Sequence, residues 1–136
     1  MFKVKVFTVG RSKEGCLSSA IQEYEKRLTG HLCLEWHFAK TNAQLLQWSL
    51  VEPAIVLDPQ GTLLTSEEWA AKMPQLGLRL RFIIGGADGL PIEIKQKARF
   101  LWSLSPLTFT HEMTRLILVE QLYRAIEIGR SSRYHK

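Results

Sequence analysis

Residues 102–124 read WSLSPLTFTHEMTRLILVEQLYR, a short apolar strand followed by a turn and a long helix. The helix is predicted to begin near Glu112 and to continue to about Ile128, because no proline or glycine interrupts it before Gly129, its expected cap. Its apolar residues recur at spacings of three and four and cover more than one stripe. Such a helix needs partners on several sides. We therefore expect it to pack on its own sheet and, across a two-fold axis, on a second copy of the chain.

Alternating strand and helix patterns flank this stretch along the chain. Apolar runs predict strands at 2–9, 31–38, 54–58, 80–84 and 101–105. Helical spacing and capping signals predict helices at 14–29, within 39–52, from Thr65 to just before Pro74, at 92–100 and at 112–128. The segment Pro59–Gly61 is expected to turn the chain. This alternation predicts an α/β fold of one domain, residues 1–136, with an open, mainly parallel sheet and helices on both faces.

Three of the predicted strands end on distinctive residues, which we interpret as the ligand site. These ends are 57–59, 84–86 and 104–106, with the sequences LDP, IGG and LSP. In open parallel sheets, ligands bind beyond the carboxyl ends of the strands, where the strand order reverses. Gly85 and Gly86 allow either a tight turn or the close approach of a ligand. They match neither GxGxxG nor a phosphate-binding loop, so neither a dinucleotide nor a nucleoside triphosphate is favoured.

The positive charge of the chain lies in its C-terminal part. Residues 1–78 hold eight Lys/Arg and eight Asp/Glu, whereas residues 79–136 hold ten Lys/Arg and five Asp/Glu, which accounts for the formal charge of +5. This excess of positive charge attracts anions, so the partner is expected to be a polyanion such as RNA or an anionic small molecule. A solvated basic surface is the alternative.

The sequence also predicts a cytoplasmic location with no membrane span. It contains no apolar run of about 18 residues, and its start, MFKVKVFTVG, does not resemble a signal peptide. Cys16 and Cys33 lack the spacing of a redox or metal motif, so we expect reduced, semi-buried thiols.

Histidines near the helix start and at the C-terminus are the candidates for acid–base chemistry. His111 begins an HExxR pattern without the second histidine of a zinc protease, and the other histidines and cysteines lack ligand spacing, so no metal is expected. His111 is interpreted as either a helix cap or a base. Tyr134 and His135 lie beside two cations at the end of the chain, a combination that can stack on a nucleobase, contact phosphate and move a proton. A solvated tail is the alternative.

Three segments taken together resemble the RlmH family of the SPOUT methyltransferase superfamily. They are IIGGADGL (83–90), SLSPLTFTHEMTRLILVEQLYRA (103–125) and RYHK (133–136). The resemblance is dense from residue 81 onward and looser in the strand and helix motifs before it. It implies a homodimeric enzyme that uses S-adenosylmethionine to methylate N3 of a pseudouridine in large-subunit (23S) ribosomal RNA, on the ribosome. It also implies a C-terminal trefoil knot, which general topology rules would count against.

The resemblance assigns roles to individual residues of this chain. Those expected to wrap the cofactor are Leu57, Gly85, Gly86, Leu104, Ser105, Pro106, Leu107, Thr108, Phe109 and Thr110. Those expected to serve RNA binding and catalysis are His135, Tyr134, His111, Arg115 and Arg124. His135 is the first candidate for the base that removes the N3 proton and His111 the second, and the arginines would lower the pKa of the ring or hold phosphates.

Two further functions remain open at the level of sequence. One is a non-catalytic RNA-binding module for ribosome assembly, which explains the charge but not the glycine and LSP strand ends. The other is a methyltransferase of a small anionic metabolite. The glycines and the LSP strand end are expected to form a dry pocket of backbone carbonyls and apolar side chains. Methyl transfer from a sulfonium neutralises a cation, and such a pocket disfavours the charged ground state. The predicted pocket therefore favours a methyltransferase over a non-catalytic module.

Overall fold

The computed structural model describes residues 1–10, 15–86 and 88–135, and strands and helices alternate along them. The strands are β1 (Phe2–Val9), β2 (Leu32–Ala39), β3 (Ile55–Leu63), β4 (Arg79–Ile84) and β5 (Phe100–Ser103). The helices are α1 (Ser18–Leu28), α2 (Asn42–Ser49), α3 (Ser66–Gln75), α4 (Ile92–Gln96) and α5 (His111–Gly129). The element order is the predicted alternation of strand and helix.

The strands form one sheet in the order β2-β1-β4-β3-β5, with every neighbouring pair parallel. This confirms the predicted α/β fold with a parallel sheet. β2 lies at an edge, as its alternation of apolar and polar residues predicts, and Cys33 and Glu35 on its wetter side are exposed. The trefoil knot stays a prediction from the resemblance.

Helices cover both faces of the sheet, and each face has its own apolar core. The first core joins α1, α3 and α5 to the sheet, and in it the Trp69 ring stacks on Trp102 with the ring centroids 4.1 Å apart. The second core is smaller, because only the short helices α2 and α4 cover that face, through Leu45 and Ile94. Burial on both faces explains the nearly continuous apolar runs of the central strands.

Strand β3 continues past Asp58, so the predicted turn at Pro59–Gly61 is wrong. The Gln60 N–H donates to Asp58 Oδ1 at 3.1 Å, and the pairing with β5 shifts register between Leu57 and Thr62. A Cβ atom on Gly61 would lie 2.7 Å from the backbone of Leu101. The segment is therefore a bulge that keeps β3 paired to β5, and glycine permits the close approach of the two backbones.

The ends of α3 and α4 differ from the prediction, and α1 begins at Ser18 rather than near residue 14. The capping box of α3 is confirmed, since Thr65 Oγ1 accepts the Glu68 N–H at 3.1 Å and Glu68 Oε1 accepts the Thr65 N–H at 2.8 Å. The helix nevertheless includes Pro74, because a proline in the last turn removes only one backbone hydrogen bond. Helix α4 has five residues instead of the predicted nine, and β5 begins at Phe100.

Helix α5 begins with a side-chain cap and runs one residue beyond Ile128. Thr110 Oγ1 accepts the Met113 N–H at 3.2 Å. The predicted cap, Gly129, is instead the last helical residue. The chain leaves the helix through Ser131, whose φ of 54° lies in the left-handed region.

The apolar breadth of α5 is explained in part by partners within the chain. The helix lies on the sheet between α1 and α3, and it buries Leu118, Val119, Leu122 and Ala125. This arrangement removes much of the reason for expecting a second copy from sequence alone. A dimer therefore remains a proposal that needs other support.

The cysteines are more exposed than the sequence suggested. Cys16 and Cys33 are free and exposed, rather than semi-buried. Cys33 lies on the outer strand β2, and Cys16 precedes α1, where its Sγ donates to Glu112 Oε2 at 3.4 Å. No helix among the described residues is long and apolar enough to cross a membrane.

Candidate active site

A cavity of about 600 Å³ opens beside the bulge of β3 and the carboxyl ends of β4 and β5. This volume is in the range of small-molecule sites, roughly 300–1,000 Å³. Nine of the ten residues expected to wrap a cofactor line it, namely Leu57, Gly85, Gly86, Leu104, Ser105, Leu107, Thr108, Phe109 and Thr110. Pro106 is not among the lining residues. The three strand ends singled out in the sequence thus meet at one cavity, because parallel strands end at the same edge of a sheet.

Hydrogen bonds fix the loop 104–110 that forms one wall of the cavity. Ser103 Oγ lies 3.0 Å from the carbonyl oxygen of Pro59 and 2.9 Å from that of Ser105, and so connects the ends of β3 and β5. Ser105 Oγ accepts the Leu107 N–H at 3.0 Å and tightens the loop. The wall therefore presents backbone and apolar side chains held by local bonds.

The glycines after β4 form a tight turn, one of the two roles that the sequence allowed. The Gly89 N–H donates to the carbonyl oxygen of Gly86 at 3.1 Å, and Gly89 has a φ of +76°. A Cβ on Gly85 would lie 2.9 Å from Leu90 Cγ, and one on Gly86 would lie 3.3 Å from Val9 Cβ. Both glycines therefore permit close packing of the turn, and they also line the cavity.

An ion pair that the sequence did not predict forms part of the cavity wall. Lys95 Nζ lies 3.0 Å from Asp58 Oδ2, and Asp58 is 7% exposed. Burial raises the pKa of the Asp58 carboxyl, but the Gln60 N–H and Lys95 lower it by more, so this pKa lies below its ordinary value. Lys95 lies on α4, after the glycine turn, and only the tertiary fold brings it to Asp58 at the bulge of β3.

His111 is the candidate base that lies at the cavity. It is the first residue of α5, half-buried, and it lines the cavity together with Thr114 one turn along the helix. The helix start is capped by Thr110, so His111 is not needed as the cap.

Arg115 is held inside the protein. It is 2% exposed, its Nη2 donates to the carbonyl oxygen of Val9 at 3.2 Å and lies 3.4 Å from Thr8 Oγ1, and its guanidinium lies over the Phe38 ring. Burial lowers the pKa of this guanidinium from its ordinary value, and Glu112 opposes that shift. In this position Arg115 connects α5 to the carboxyl end of β1.

Tyr134 packs against the side of α5, two turns away from the helix start. Its hydroxyl lies 2.7 Å from Glu120 Oε2 and 3.3 Å from Tyr24 Oη, and its ring meets Tyr123 edge to face. Burial, together with the bonds to Tyr24 and Glu120, raises the pKa of the Tyr134 hydroxyl well above its ordinary value. The hydroxyl therefore stays protonated at neutral pH.

His135 has both ring nitrogens occupied in this conformation. Nδ1 lies 3.0 Å from Arg124 Nη1, and Nε2 contacts the Glu67 carboxylate on α3. Because Arg124 can only donate, Nδ1 is the acceptor and Nε2 carries the proton. Arg124 also forms a half-buried i,i+4 ion pair with Glu120 at 2.9 Å. None of these tail partners lines the cavity, and Lys136 lies outside the described residues.

Metal ligands are not grouped in the described part of the chain. No cluster of three or more His, Cys, Asp or Glu side chains is found there.

The chain matches known proteins over nearly its whole length. The family model described as "Predicted SPOUT methyltransferase" covers residues 2–135. A protein of Protochlamydia amoebophila named "Ribosomal RNA large subunit methyltransferase H" is 51% identical over 100% of both chains. A protein of the same name from Thermus thermophilus is 35% identical over 98% of both chains.

Solved structures share the fold at much lower sequence identity. A probable methylase family protein from Haemophilus influenzae superposes with a TM-score of 0.60 at 13% identity, over 99% of this chain and 70% of that one. The SpoU methyltransferase AviRb of Streptomyces viridochromogenes, solved in complex with AdoMet, has a TM-score of 0.56 at 12% identity, over 97% and 59% of the two chains.

A parallel α/β sheet with a cavity beyond the strand ends defines the general class of α/β ligand-binding domains. Within that class, the chain belongs to the SPOUT methyltransferase family.

Proposed function

We propose that this protein is an S-adenosylmethionine-dependent methyltransferase of large-subunit ribosomal RNA, with N3 of a pseudouridine as the target. The observation that carries the proposal is the cavity beside the β3 bulge and the ends of β4 and β5, which combines backbone and apolar side chains with the Asp58–Lys95 pair and His111. The relatives named as ribosomal RNA large subunit methyltransferases H support the substrate, and the AdoMet complex of a protein with the same fold supports the cofactor. We further propose a single-domain, cytoplasmic protein.

The residues present at the cavity suit this cofactor. Bound S-adenosylmethionine supplies an electrophilic methyl group on a positively charged sulfur. The loop 104–110 and the glycine turn exclude water from one side of the cavity, which disfavours that charge before transfer and favours its loss. Asp58 and Lys95 offer one acceptor and one cation for the ammonium and carboxylate ends of the cofactor.

Removal of the N3 proton needs a base near the cavity. His111 lies there in the same chain, whereas His135 is occupied by Arg124 and Glu67. For His135 to act, the C-terminal tail must leave its place on α5 or serve a cavity other than that of its own chain. We therefore keep both histidines as candidates and distinguish them by experiment.

We propose that the enzyme works as a homodimer. Leu107 at the cavity and Met113 in the first turn of α5 are 69% and 38% exposed, and they offer apolar surface that a second copy of the chain can bury. A second copy would cover them and bring its own tail near this cavity. Sedimentation at micromolar concentration should give a species of twice the chain mass, and a monomer mass alone would contradict the dimer.

Calorimetry with S-adenosylmethionine is the decisive experiment, coupled to methyl incorporation into ribosomes. Thr114→Trp places a ring in the cavity from the first turn of α5 and should weaken cofactor binding by about tenfold or more. Gln22→Trp, an exposed position on α1, is the control and should leave binding unchanged.

Each alternative function gives a different result. A protein that binds RNA but not S-adenosylmethionine would be the assembly module, and the cavity would have another use. Cofactor binding with methyl transfer only to a small anionic metabolite would contradict the RNA substrate. Equal binding by Thr114→Trp and the wild type would show that the cofactor lies elsewhere.

A further inference from the structure

Four cations lie side by side on one face of the sheet, outside the cavity. They are Lys3 and Lys5 on β1 and Arg79 and Arg81 on β4, and we call them the basic sheet face. They share the face covered by α2 and α4. Those helices are too short to cover its amino-terminal half, so Lys3, Lys5 and Arg79 are exposed and Arg81 is half-buried.

The strand register places like charges directly opposite one another. Lys3 pairs with Arg79 and Lys5 with Arg81 across the parallel strands β1 and β4. Neighbouring strands are about 4.8 Å apart and residues i and i+2 about 6.6 Å, so four cations occupy a patch smaller than about 10 Å. Among the described residues, no carboxylate forms an ion pair with Lys3, Lys5 or Arg79.

The pairing of like charges across β1 and β4 lowers the stability of the folded chain, so its presence needs an explanation other than stability. Like charges directly opposite each other in a sheet are destabilising. Glu35 lies beside Lys5 in the register with β2, but its carboxylate faces His37 at 3.2 Å. The repulsion between Lys3 and Arg79 is therefore left without an ion pair in the isolated chain, and Glu52 offsets part of the repulsion at Arg81.

Arg81 is fixed in place, which distinguishes this patch from a loose set of surface lysines. Its guanidinium lies over the Phe7 ring at 4.5 Å, and its Nη2 donates to the carbonyl oxygen of Trp48 at 3.1 Å. Glu52 is 3.9 Å away and exposed. A held guanidinium loses little further entropy when an anion binds beside it.

We propose that the basic sheet face binds the phosphate backbone of the RNA substrate, at a second region distinct from the cavity. The inference rests on the proposed function, because the same RNA molecule must contact both the cavity and the basic sheet face. Closely spaced cations fit phosphates, and three of these four, Lys3, Lys5 and Arg79, have no carboxylate partner among the described residues. Phosphate contacts of this kind fix position rather than sequence.

The distance between the two regions indicates the size of the RNA. Lys3 and the end of β1 at Val9 are six residues apart, which corresponds to about 20 Å along the strand. A single nucleotide in the cavity is too small to contact the basic sheet face as well. A folded ribosomal RNA can contact both, so the patch should increase the affinity for large substrates only.

The test compares charge-matched variants in binding to protein-free large-subunit ribosomal RNA over a range of salt. Lys3→Gln, Lys5→Gln and Arg79→Gln each remove one cation of the patch, and Lys26→Gln removes one exposed cation from α1 on the opposite side of the sheet. Each patch variant should lower the slope of log K against log salt by about 0.7–0.9, as expected for one lost phosphate contact. Lys26→Gln should leave the slope unchanged.

Two further readouts separate this inference from its alternatives. S-adenosylmethionine affinity should be unchanged in all variants, and the unfolding midpoint of the patch variants should stay equal or rise because like-charge repulsion is relieved. Patch variants with the slope of Lys26→Gln would overturn the proposal. Weaker binding to whole large ribosomal subunits without weaker binding to naked RNA would also overturn it, since the partner would then be an acidic protein surface. If the wild type methylates no RNA at all, the proposed function fails first.

Discussion

The ion pair between Asp58 and Lys95 joins the bulge of β3 to α4 at the wall of the cavity. A carboxylate that is 7% exposed depends on its partners, because an unpaired buried charge is costly. The pair therefore has a structural role before any ligand binds. The contribution of this ion pair to the free energy of unfolding can be measured without knowledge of the substrate.

Replacing Lys95 by methionine should destabilise the protein by about 1–3 kcal/mol at pH 7, because Asp58 keeps only the Gln60 N–H. Lys97→Met, an exposed position nearby, is the control and should change the free energy of unfolding little. Urea unfolding of the three proteins measures the difference.

The same pair predicts the direction of a pH dependence. The pKa of Asp58 is lowered in the folded protein, so its contribution is present above the pKa of unfolded aspartate, about 3.9, and is lost as the pH falls through the folded value. The difference between wild type and Lys95→Met should therefore shrink in acid. A difference that stays constant down to about pH 3 would show that Lys95 acts by packing alone.

Glu112 controls the reactivity of the neighbouring cysteine. The hydrogen bond and the negative charge of Glu112 raise the pKa of the Cys16 thiol. Glu112→Gln removes the charge, so more thiolate is present at about pH 8 and alkylation of Cys16 should become severalfold faster. Cys33, exposed on β2, serves as the internal control and should react at the same rate in both proteins.

At the scale of elements, two glycines occupy opposite environments. A Cβ on Gly61 would lie 2.7 Å from the backbone of β5, whereas nothing lies within 4 Å of one on Gly129 at the end of α5. Gly61→Ala should cost about 1–3 kcal/mol, because two backbones must move apart. Gly129→Ala should stabilise the protein by about 0.5–1 kcal/mol through helix propensity. Thermal unfolding of both variants tests the bulge, and equal effects would contradict it.

At the scale of the whole molecule, the C-terminal tail is more than an appendage. Position in the sequence alone predicts that deleting residues 134–136 costs little stability. The contacts of Tyr134 with Glu120, Tyr24 and Tyr123 revise this expectation to a loss of about 1–2 kcal/mol.

The deletion should leave S-adenosylmethionine affinity within a few-fold and abolish methylation of ribosomes. His135→Ala should lower the rate by about 10²-fold or more if His135 is the base, with little change in cofactor affinity. Tyr134→Phe is the matched control for tail docking, because it removes the hydroxyl bonds and keeps the ring. Full activity of the truncated protein would assign the base to His111.

Local patterns are sufficient to predict the element order and the strands that build the site. Apolar residues at every second position predict strands, and apolar residues at spacings of three and four predict helices, because each pattern lets a segment bury one side. The observed element order agrees with these patterns. The prediction for the end of β3 is wrong because Pro59 and Gly61 have the composition of a turn, while pairing with β5 continues the strand through them as a bulge. The predicted cap at Gly129 is wrong for a similar reason, since composition alone does not show where a helix loses its last hydrogen bonds.

Residue patterns along the chain are enough to establish the α/β alternation, the three strand ends that meet at the cavity and, through the resemblance of its motifs, the family. Four features required the folded molecule: Lys95 meets Asp58, Arg115 is buried, the tail folds back on α5, and Lys3 and Lys5 face Arg79 and Arg81. Each of these depends on contacts between residues far apart in the chain. Spacing along a sequence carries no information about which strands become neighbours or in what register, since that is set by how all the apolar faces are buried together.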